Sequence, residues 1–396
     1  MAKLSIRDLH LHGRRLFIRV DFNVPIKNGV ITDDTRIRAS LPTIQFALDS
    51  GALPIIASHL GRPKGAPNMD YTLAPVAARL HELLGRPVSF ATDCVGPDVD
   101  RAIDEARSAN GVVLLENLRF HAAEEKNDPA FAKQLADVAD DYVNDAFGAA
   151  HRAHASVEGI THHFPKPAAG LLMEQELKYL GHVLEAPERP FVGILGGAKV
   201  SDKIEVIENM LGKVDRLIIG GAMAYTFMKS RGISTGRSLV EDDKLEEARR
   251  ITADAEKRGV ELALPVDHVV TTAISADAPH QVLAIDDASI GDRMGVDIGP
   301  LTIAKYQGLL KDARTVVWNG PMGVFEIPAF AGGTNALATA VANVHGTTIV
   351  GGGDSISAIR KSGMADRITH ISTGGGASLE FLGGRVLPGV AALGDK

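Results

Sequence analysis

Gly193-Ile194-Leu195-Gly196-Gly197-Ala198-Lys199-Val200-Ser201-Asp202-Lys203 lies at the middle of the chain, and its reading decides the fold class. Phe191 to Leu195 is short and apolar, the pattern of a strand buried on both faces. Gly196-Gly197 reads as a tight turn. From Val200 onward, Ile204, Val206, Ile207, Met210 and Leu211 recur at helical spacing. The segment is therefore strand, glycine turn, helix. Glycines let backbone N–H groups come close to an anion, and a helix N-terminus carries partial positive charge. Lys199 and Lys203 are four residues apart, so on a helix they share one face. These features outline a phosphate site. They describe equally well a plain βα turn with two solvated lysines. The chain has no G-x-x-x-x-G-K-[ST], so this is not a P-loop.

The same unit recurs on both sides of this stretch. Upstream, strands are predicted at Leu16–Val20, Ala52–Ala57, Val88–Ala91, Val112–Leu115 and Tyr142–Asn144. Helices are predicted at Asp34–Ser50, Leu73–Leu84, Asp98–Ala109 and Pro129–Ala139. Downstream, strands follow at Leu217–Ile219, Leu262–Pro265, Thr315–Trp318, Thr348–Val350 and His370–Ser372. The helices between them include Glu241–Arg258, Thr302–Lys311 and Thr334–Val344. Repeated βα units with short apolar strands imply parallel sheets covered by helices on both faces. Pro165 to Gly170 reads as a boundary, and Leu171 to Leu184 as a helix connecting two domains. The stretch from Leu387 to Lys396 shows no pattern.

Composition narrows the function. A chain of 396 residues exceeds one ordinary core, so two domains are expected. The net charge of −7 argues against a general nucleic-acid binder. Cys94 is the only cysteine, which excludes an internal disulfide and a cysteine metal cage. The stretch from Met1 to Asp8 has no apolar signal core, and no apolar run is long enough to span a bilayer. A cytoplasmic protein is expected.

Ligands of open α/β sheets bind beyond the carboxyl ends of the strands. In the first half those positions hold Asp21, Asn23, His59, Arg62, Asn117, Arg119, Asn144 and Asp145, with Arg36 opening the first helix and Arg152 in His151-Arg152-Ala153-His154. Arginine grips phosphate and carboxylate bidentately, so these residues make a candidate anion patch. Each taken singly reads as a surface arginine. His151 and His154 lack an indicated third ligand for a metal. In the second half the strand ends are glycine-rich: Gly196-Gly197, Gly220-Gly221, Asn319 to Gly323, Gly351 to Ser355 and Thr373 to Gly376. Such turns leave room for a bulky ligand and bare backbone donors. Asp354 fits either a helix N-cap or a Mg²⁺ carboxylate. Glu326 fits a ribose acceptor or a surface residue. Trp318 reads as core. One domain thus offers an anion patch and the other a nucleotide-like crevice, which suits phosphoryl transfer.

At this point the residues resemble a known family, phosphoglycerate kinase. The resemblance rests on Arg19-Val20-Asp21-Phe22-Asn23-Val24-Pro25, Ser58 to Pro63, Glu116 to Phe120, Val143 to Phe147 and His151 to Ser156. It continues through Gly196 to Ile204, Trp318 to Glu326, Gly351 to Ser355 and Ser372 to Ser378. Ala149 stands where the family often has threonine. The resemblance implies two Rossmann-like domains: a substrate domain at 1–170 and a nucleotide domain at 187–378. A connecting helix at 171–186 would join them, and a segment at 379–396 would return to the first domain. It implies reversible transfer of a phosphoryl group from 1,3-bisphosphoglycerate to Mg-ADP, giving 3-phosphoglycerate and ATP. It implies that Asp21, Asn23, Arg36, His59, Arg62, Arg119 and Arg152 bind the glycerate. Lys203, Gly295, Asn319, Glu326, Gly352, Gly353, Asp354 and Ser355 would bind ADP or ATP, with Mg²⁺ on Asp354. Arg36, Lys199 and the amides of Gly374 and Gly375 would face the transferring group. A monomer without nucleic-acid or membrane partners is implied. Two other classes stay in view. A Rossmann-like oxidoreductase needs a G-x-G-x-x-G fingerprint that the chain lacks. A non-catalytic binding protein on this scaffold would be favoured by loss of Lys199, Arg36 or Asp354, and all three are present.

Overall fold

Two six-stranded parallel sheets carry the fold in a computed structural model, which describes residues 3–396. Met1 and Ala2, where the first predicted domain begins, lie outside the described residues. The chain divides into two units. One comprises the residues up to Lys178 together with Val386–Lys396, and the other is Tyr179–Arg385.

The strands of the first unit are β1 (Arg15–Arg19), β2 (Leu53–Ala57), β3 (Val88–Phe90), β4 (Val112–Leu114), β5 (Asp141–Asn144) and β6 (Ala168–Ala169). Their order is β3-β4-β2-β1-β5-β6, and every pairing is parallel. Leu16, Phe17 and Ile18 are all fully buried, so β1 packs on both faces and shows no polar alternation. Ile18 stands level with Ile56 on one side and Val143 on the other, and these residues join one core. Flanking helices use ordinary end signals. Gly85 closes Ala74–Leu84 in the left-handed region, its N–H bonding to His81 O. Asp128 caps Pro129–Asp137 through the amides of Ala130 and Phe131. Strand β6 falls inside the stretch read from sequence as a boundary. Two alanines carry too little hydrophobic signal to announce a strand.

The second unit holds β7 (Phe191–Leu195), β8 (Arg216–Ile219), β9 (Glu261–Ala263), β10 (Thr315–Asn319), β11 (Thr347–Gly351) and β12 (His370–Ile371). Their order is β9-β8-β7-β10-β11-β12, again all parallel. The chain winds outward from β7 to one edge, then returns to lay β10 on the other side of β7. Crevices form where winding reverses in this way. Here it lies between the turns after β7 and β10. A separate antiparallel sheet, not foreseen from sequence, pairs Asp267–Thr271 with His280–Ala284 and with Met294–Ile298. His280–Ala284 is almost wholly exposed, so it lacks the apolar alternation that marks a strand.

The helix Leu171–Glu185 contains the division between the units. The stretch from Leu387 does acquire structure: Pro388–Ala391 is a short helix, Gly389 N–H donates to Ala150 O at 2.8 Å, and Leu4 N–H to Gly394 O at 2.7 Å. Among the described residues no helix is long and apolar enough to cross a membrane.

Candidate functional site

In the first unit the predicted anion patch gathers at the ends of β1, β2, β4 and β5. His59 follows β2 and is almost fully buried. Burial pushes its imidazole well below the usual range, helped by the positive charges of Arg19, Arg119, Arg152 and Arg36. Four guanidinium groups therefore act on one neutral ring. Arg36 pairs with Asp21 at 3.0 Å. Arg119 donates to Gly61 O at 2.6 Å and pairs with Glu125 at 3.1 Å. Arg152 Nε lies 3.1 Å from His151 Nε2. Asn23 Oδ1 accepts from Gly61 N–H at 3.0 Å, which ties the loop after β1 to the loop carrying Arg62. Arg62 itself is exposed.

Two residues behind this patch escaped the sequence reading. Arg19 is fully buried, bonding Ser156 Oγ at 2.8 Å and His59 Nδ1 at 3.1 Å. Glu124 is fully buried and accepts from Ser156 Oγ at 2.6 Å and Ser156 N–H at 2.9 Å. Burial pushes the Glu124 carboxyl up, and Arg19 and Ser156 oppose that. Ser156 thus links a buried cation to a buried anion beneath the patch. The one signal in the sequence was an arginine at the end of an apolar strand.

In the second unit the opening stretch differs from its reading. The chain after Gly197 makes a 3-10 turn at Ser201–Lys203 before the helix Ile204–Leu211. Lys199 precedes that helix and is exposed, whereas Lys203 is buried, so the two lysines do not share a helix face. The entrance amides are also engaged. Val200 N–H and Ser201 N–H donate to the Glu241 carboxylate at 2.6 and 3.0 Å. An anion from this protein already occupies that end. Lys203 Nζ instead donates to Asn319 O at 3.0 Å and Asn319 Oδ1 at 2.8 Å. Burial lowers its ammonium from 10.5 to about 8, against the pull of Asp202 and Asp354.

A second helix start lies at the turn after β11. Gly353–Lys361 starts after Gly352, whose φ is +88°, and no side chain caps it. Asp354 is in the first turn and is not the N-cap that one reading had made it. The first amides of such a helix lack intrahelical partners and suit an anion. Ser355 is buried and its Oγ accepts from Gly320 N–H, which locks this helix to the turn after β10. At the next strand end, Gly374 N–H donates to Ser372 Oγ at 3.2 Å, and Gly375 sits at a φ of +53°.

A cavity of about 260 Å³ opens beside these turns, lined by Gly197, Gly221, Gly295, Gly323, Glu326 and Asp354 among others. Beside it the backbone turns at Gly196 and Gly320 pack closely against one another. A Cβ on Gly196 would stand 2.1 Å from Pro321 O, and one on Gly320 would stand 2.2 Å from Gly196 O. Tyr225, His268 and Asp297 also line it, and none was singled out from sequence. Trp318 is core, fully buried among aliphatic side chains. The exposed Asp354 carboxylate borders the same cavity. An exposed carboxylate in the first turn of a helix whose leading amides lack intrahelical partners suits Mg²⁺ shared with phosphate oxygens, so the residues fit that ion.

The family profile of phosphoglycerate kinase matches residues 6–385. A phosphoglycerate kinase of Moorella thermoacetica is 59% identical over 396 residues, covering all of both chains. One from Solibacter usitatus is 59% identical over 398 residues, covering 99% of this chain and all of the other. The solved structure of phosphoglycerate kinase from Coxiella burnetii superposes with a TM-score of 0.89 at 43% identity, covering 98% of each chain. The chain belongs to the phosphoglycerate kinase family and is a phosphotransferase of glycolysis.

Proposed function

We propose that the protein transfers a phosphoryl group reversibly from 1,3-bisphosphoglycerate to Mg-ADP by direct in-line displacement. A terminal phosphate oxygen of ADP attacks the acyl phosphate. The bond from phosphorus to the acyl oxygen breaks, and 3-phosphoglycerate leaves as a carboxylate. Attacking and leaving oxygens are both ionised at neutral pH, so no proton needs a carrier. What remains for the protein is positioning and charge stabilisation.

In this reading Asp21, Asn23, Arg36, His59, Arg62, Arg119 and Arg152 form a substrate domain that holds the glycerate phosphate and carboxylate. Neutral His59 supplies a hydrogen bond without competing for the anion. Lys203 and the amides of Gly353 to Ser355 meet nucleotide phosphate, with Asn319 positioning Lys203. Gly295 and Glu326 border the nucleoside. Asp354 would hold Mg²⁺, which when bound neutralises charge on the phosphate oxygens. Lys199 and Arg36 reach the moving group, together with the amides of Gly374 and Gly375. The reading includes domain closure, since the transferring group must be kept from water. It also includes a monomer working in the cytoplasm.

The observation that carries this proposal is the ring of arginines around neutral His59, in a chain whose other unit presents an uncapped helix end beside a buried lysine. A coupled assay for ATP-dependent phosphorylation of 3-phosphoglycerate tests it. Turnover that requires both Mg²⁺ and 3-phosphoglycerate supports the proposal. Purified, folded protein without such turnover overturns it.

A further inference from the structure

Glu241 grips the lysine loop of the second unit from forty residues away. Its Oε2 accepts from Val200 N–H at 2.6 Å and from Ser201 N–H at 3.0 Å, and its Oε1 accepts from Ser201 Oγ. An ordinary helix start takes its cap from a serine, threonine, aspartate or asparagine at the N-cap itself. Here Val200 holds that place, has no polar side chain, and is fully buried. Burial works against ionisation of Glu241, but the bonds from Ser201 and Val200 and the charge of Lys199 outweigh it and hold the carboxyl below its usual range. The group is therefore a carboxylate at neutral pH, with both oxygens engaged by the two residues that follow Lys199.

The other side of Lys199 is anchored as well. Gly197 N–H donates to Pro321 O at 3.0 Å, and Gly197 O accepts from Met223 N–H at 3.0 Å. Gly197 has a φ of +102°, a conformation that favours glycine. Between the two anchors lie only Ala198 and Lys199. Both anchors refer to one helix. Met223 opens Met223–Ser230, and the buried Thr226 of the same helix accepts from Glu241 N–H through Oγ1 at 3.1 Å. One rigid element thus holds the loop at each end.

The helix that follows has its own means of support. Val206, Ile207, Met210 and Leu211 bury its apolar face, and the turn Ser201–Lys203 separates it from the gripped amides. What the carboxylate fixes is the backbone next to Lys199. Lys199 is exposed, so no packing of its own side chain sets the point from which it reaches. A displacement of about 1 Å in such a group can cost on the order of a hundredfold in rate. Resting on the assignment of Lys199 to the transferring phosphoryl group, we infer that Glu241 is a positioning residue, whose carboxylate holds the backbone of Val200 and Ser201 and so aims Lys199. Glu241 itself touches no reacting atom.

A double-mutant cycle tests this, read by steady-state kinetics of ATP-dependent phosphorylation of 3-phosphoglycerate. Glu241→Ala should lower kcat by about ten- to a hundredfold and leave both KM values within about twofold. In a Lys199→Ala background the same substitution should change kcat by less than about twofold, because the group it positions is gone. A cap that only stabilises the fold would lower the Tm and leave kcat of the folded protein unchanged. Glu241→Gln keeps the shape of the side chain but sets an NH2 against donors, and it serves where the alanine variant does not fold. Its kcat should fall about three- to tenfold, a loss again absent in Lys199→Ala. Thermal unfolding of each variant shows that the rates belong to folded protein. Near-wild-type kcat in the folded Glu241 variants, or losses that multiply with that of Lys199→Ala, overturn the inference and leave the Lys199 assignment standing. Near-wild-type kcat in Lys199→Ala alone overturns that assignment and the inference with it.

Discussion

ADP binding should draw protons from solution near pH 8, because Lys203 is buried with only neutral hydrogen-bond partners. Asn319 offers it two oxygens and no charge. Burial therefore holds the ammonium at about 8 in the free protein, down from 10.5. A nucleotide phosphate against Nζ favours the charged form and returns the group to the ordinary lysine range. At pH 8 the free protein is half protonated at this site and the complex fully so. The uptake is about half a proton per ADP bound. The same linkage makes ADP bind about tenfold more weakly at pH 9 than at pH 7. Calorimetry at pH 8 in two buffers of different ionisation enthalpy measures the uptake directly. Lys203→Met keeps the bulk of the side chain and removes the titrating group, so its uptake should be close to zero. Wild-type uptake near zero, or unchanged uptake in Lys203→Met, refutes the argument.

Three further expectations follow from the separate units. Arg119→Ala and Arg62→Ala should weaken 3-phosphoglycerate binding at least about tenfold and leave ADP affinity within about twofold, as isothermal titration of each ligand would show. Lys199→Ala should lower kcat by roughly a hundredfold with small changes in KM and in thermal stability, since the lysine is exposed and the proposed mechanism sets it on transition-state charge; a pure KM effect in steady-state kinetics would contradict it. Asp145 is fully buried, with Oδ1 accepting from the amides of Leu172 and Met173 and Oδ2 unpaired, and burial raises its carboxyl from 3.8 to about 7. The folded value lies above the unfolded one, so its contribution to stability is complete below about pH 4 and is lost as pH rises through about 7. Urea unfolding of the wild type and Asp145→Asn should show the variant gaining relative stability across that window; parallel pH profiles would contradict the shift.

The sequence made most of the parallel strands legible because they are apolar runs ending in glycine or in a polar ligand-type residue, while β6, two alanines long, was not. Leu16 to Val20 followed by Asp21, and Phe191 to Leu195 followed by Gly196-Gly197, show the pattern. His59, Arg62 and Arg119 were legible as neighbours for the same reason, since they follow strand ends. What escaped depends on residues far apart in the chain. Glu241 reaches the amides of Val200 and Ser201 from forty residues away, so nothing local to the glycine turn reveals that its helix end is filled. Arg19 and Glu124 meet through Ser156, and no spacing rule joins three such positions. The antiparallel sheet was invisible because one of its strands faces solvent almost throughout. His268 on that sheet and Tyr225 on the helix Met223–Ser230 line the cavity, and no motif marked either of them.

The first unit is discontinuous in sequence, and that orders events during synthesis. Its fold needs Val386–Lys396, which bonds back through Gly389 to Ala150 and Asn144 and through Gly394 to Leu4 and Pro167. A ribosome must therefore translate all of Tyr179–Arg385 before the earlier unit can close. The later unit holds its whole sheet in one continuous stretch and can finish first. Until the closing segment emerges, β6 and the backbone near Leu4 lack part of their cover, so a nascent chain paused within the second unit should be cut by protease in the first.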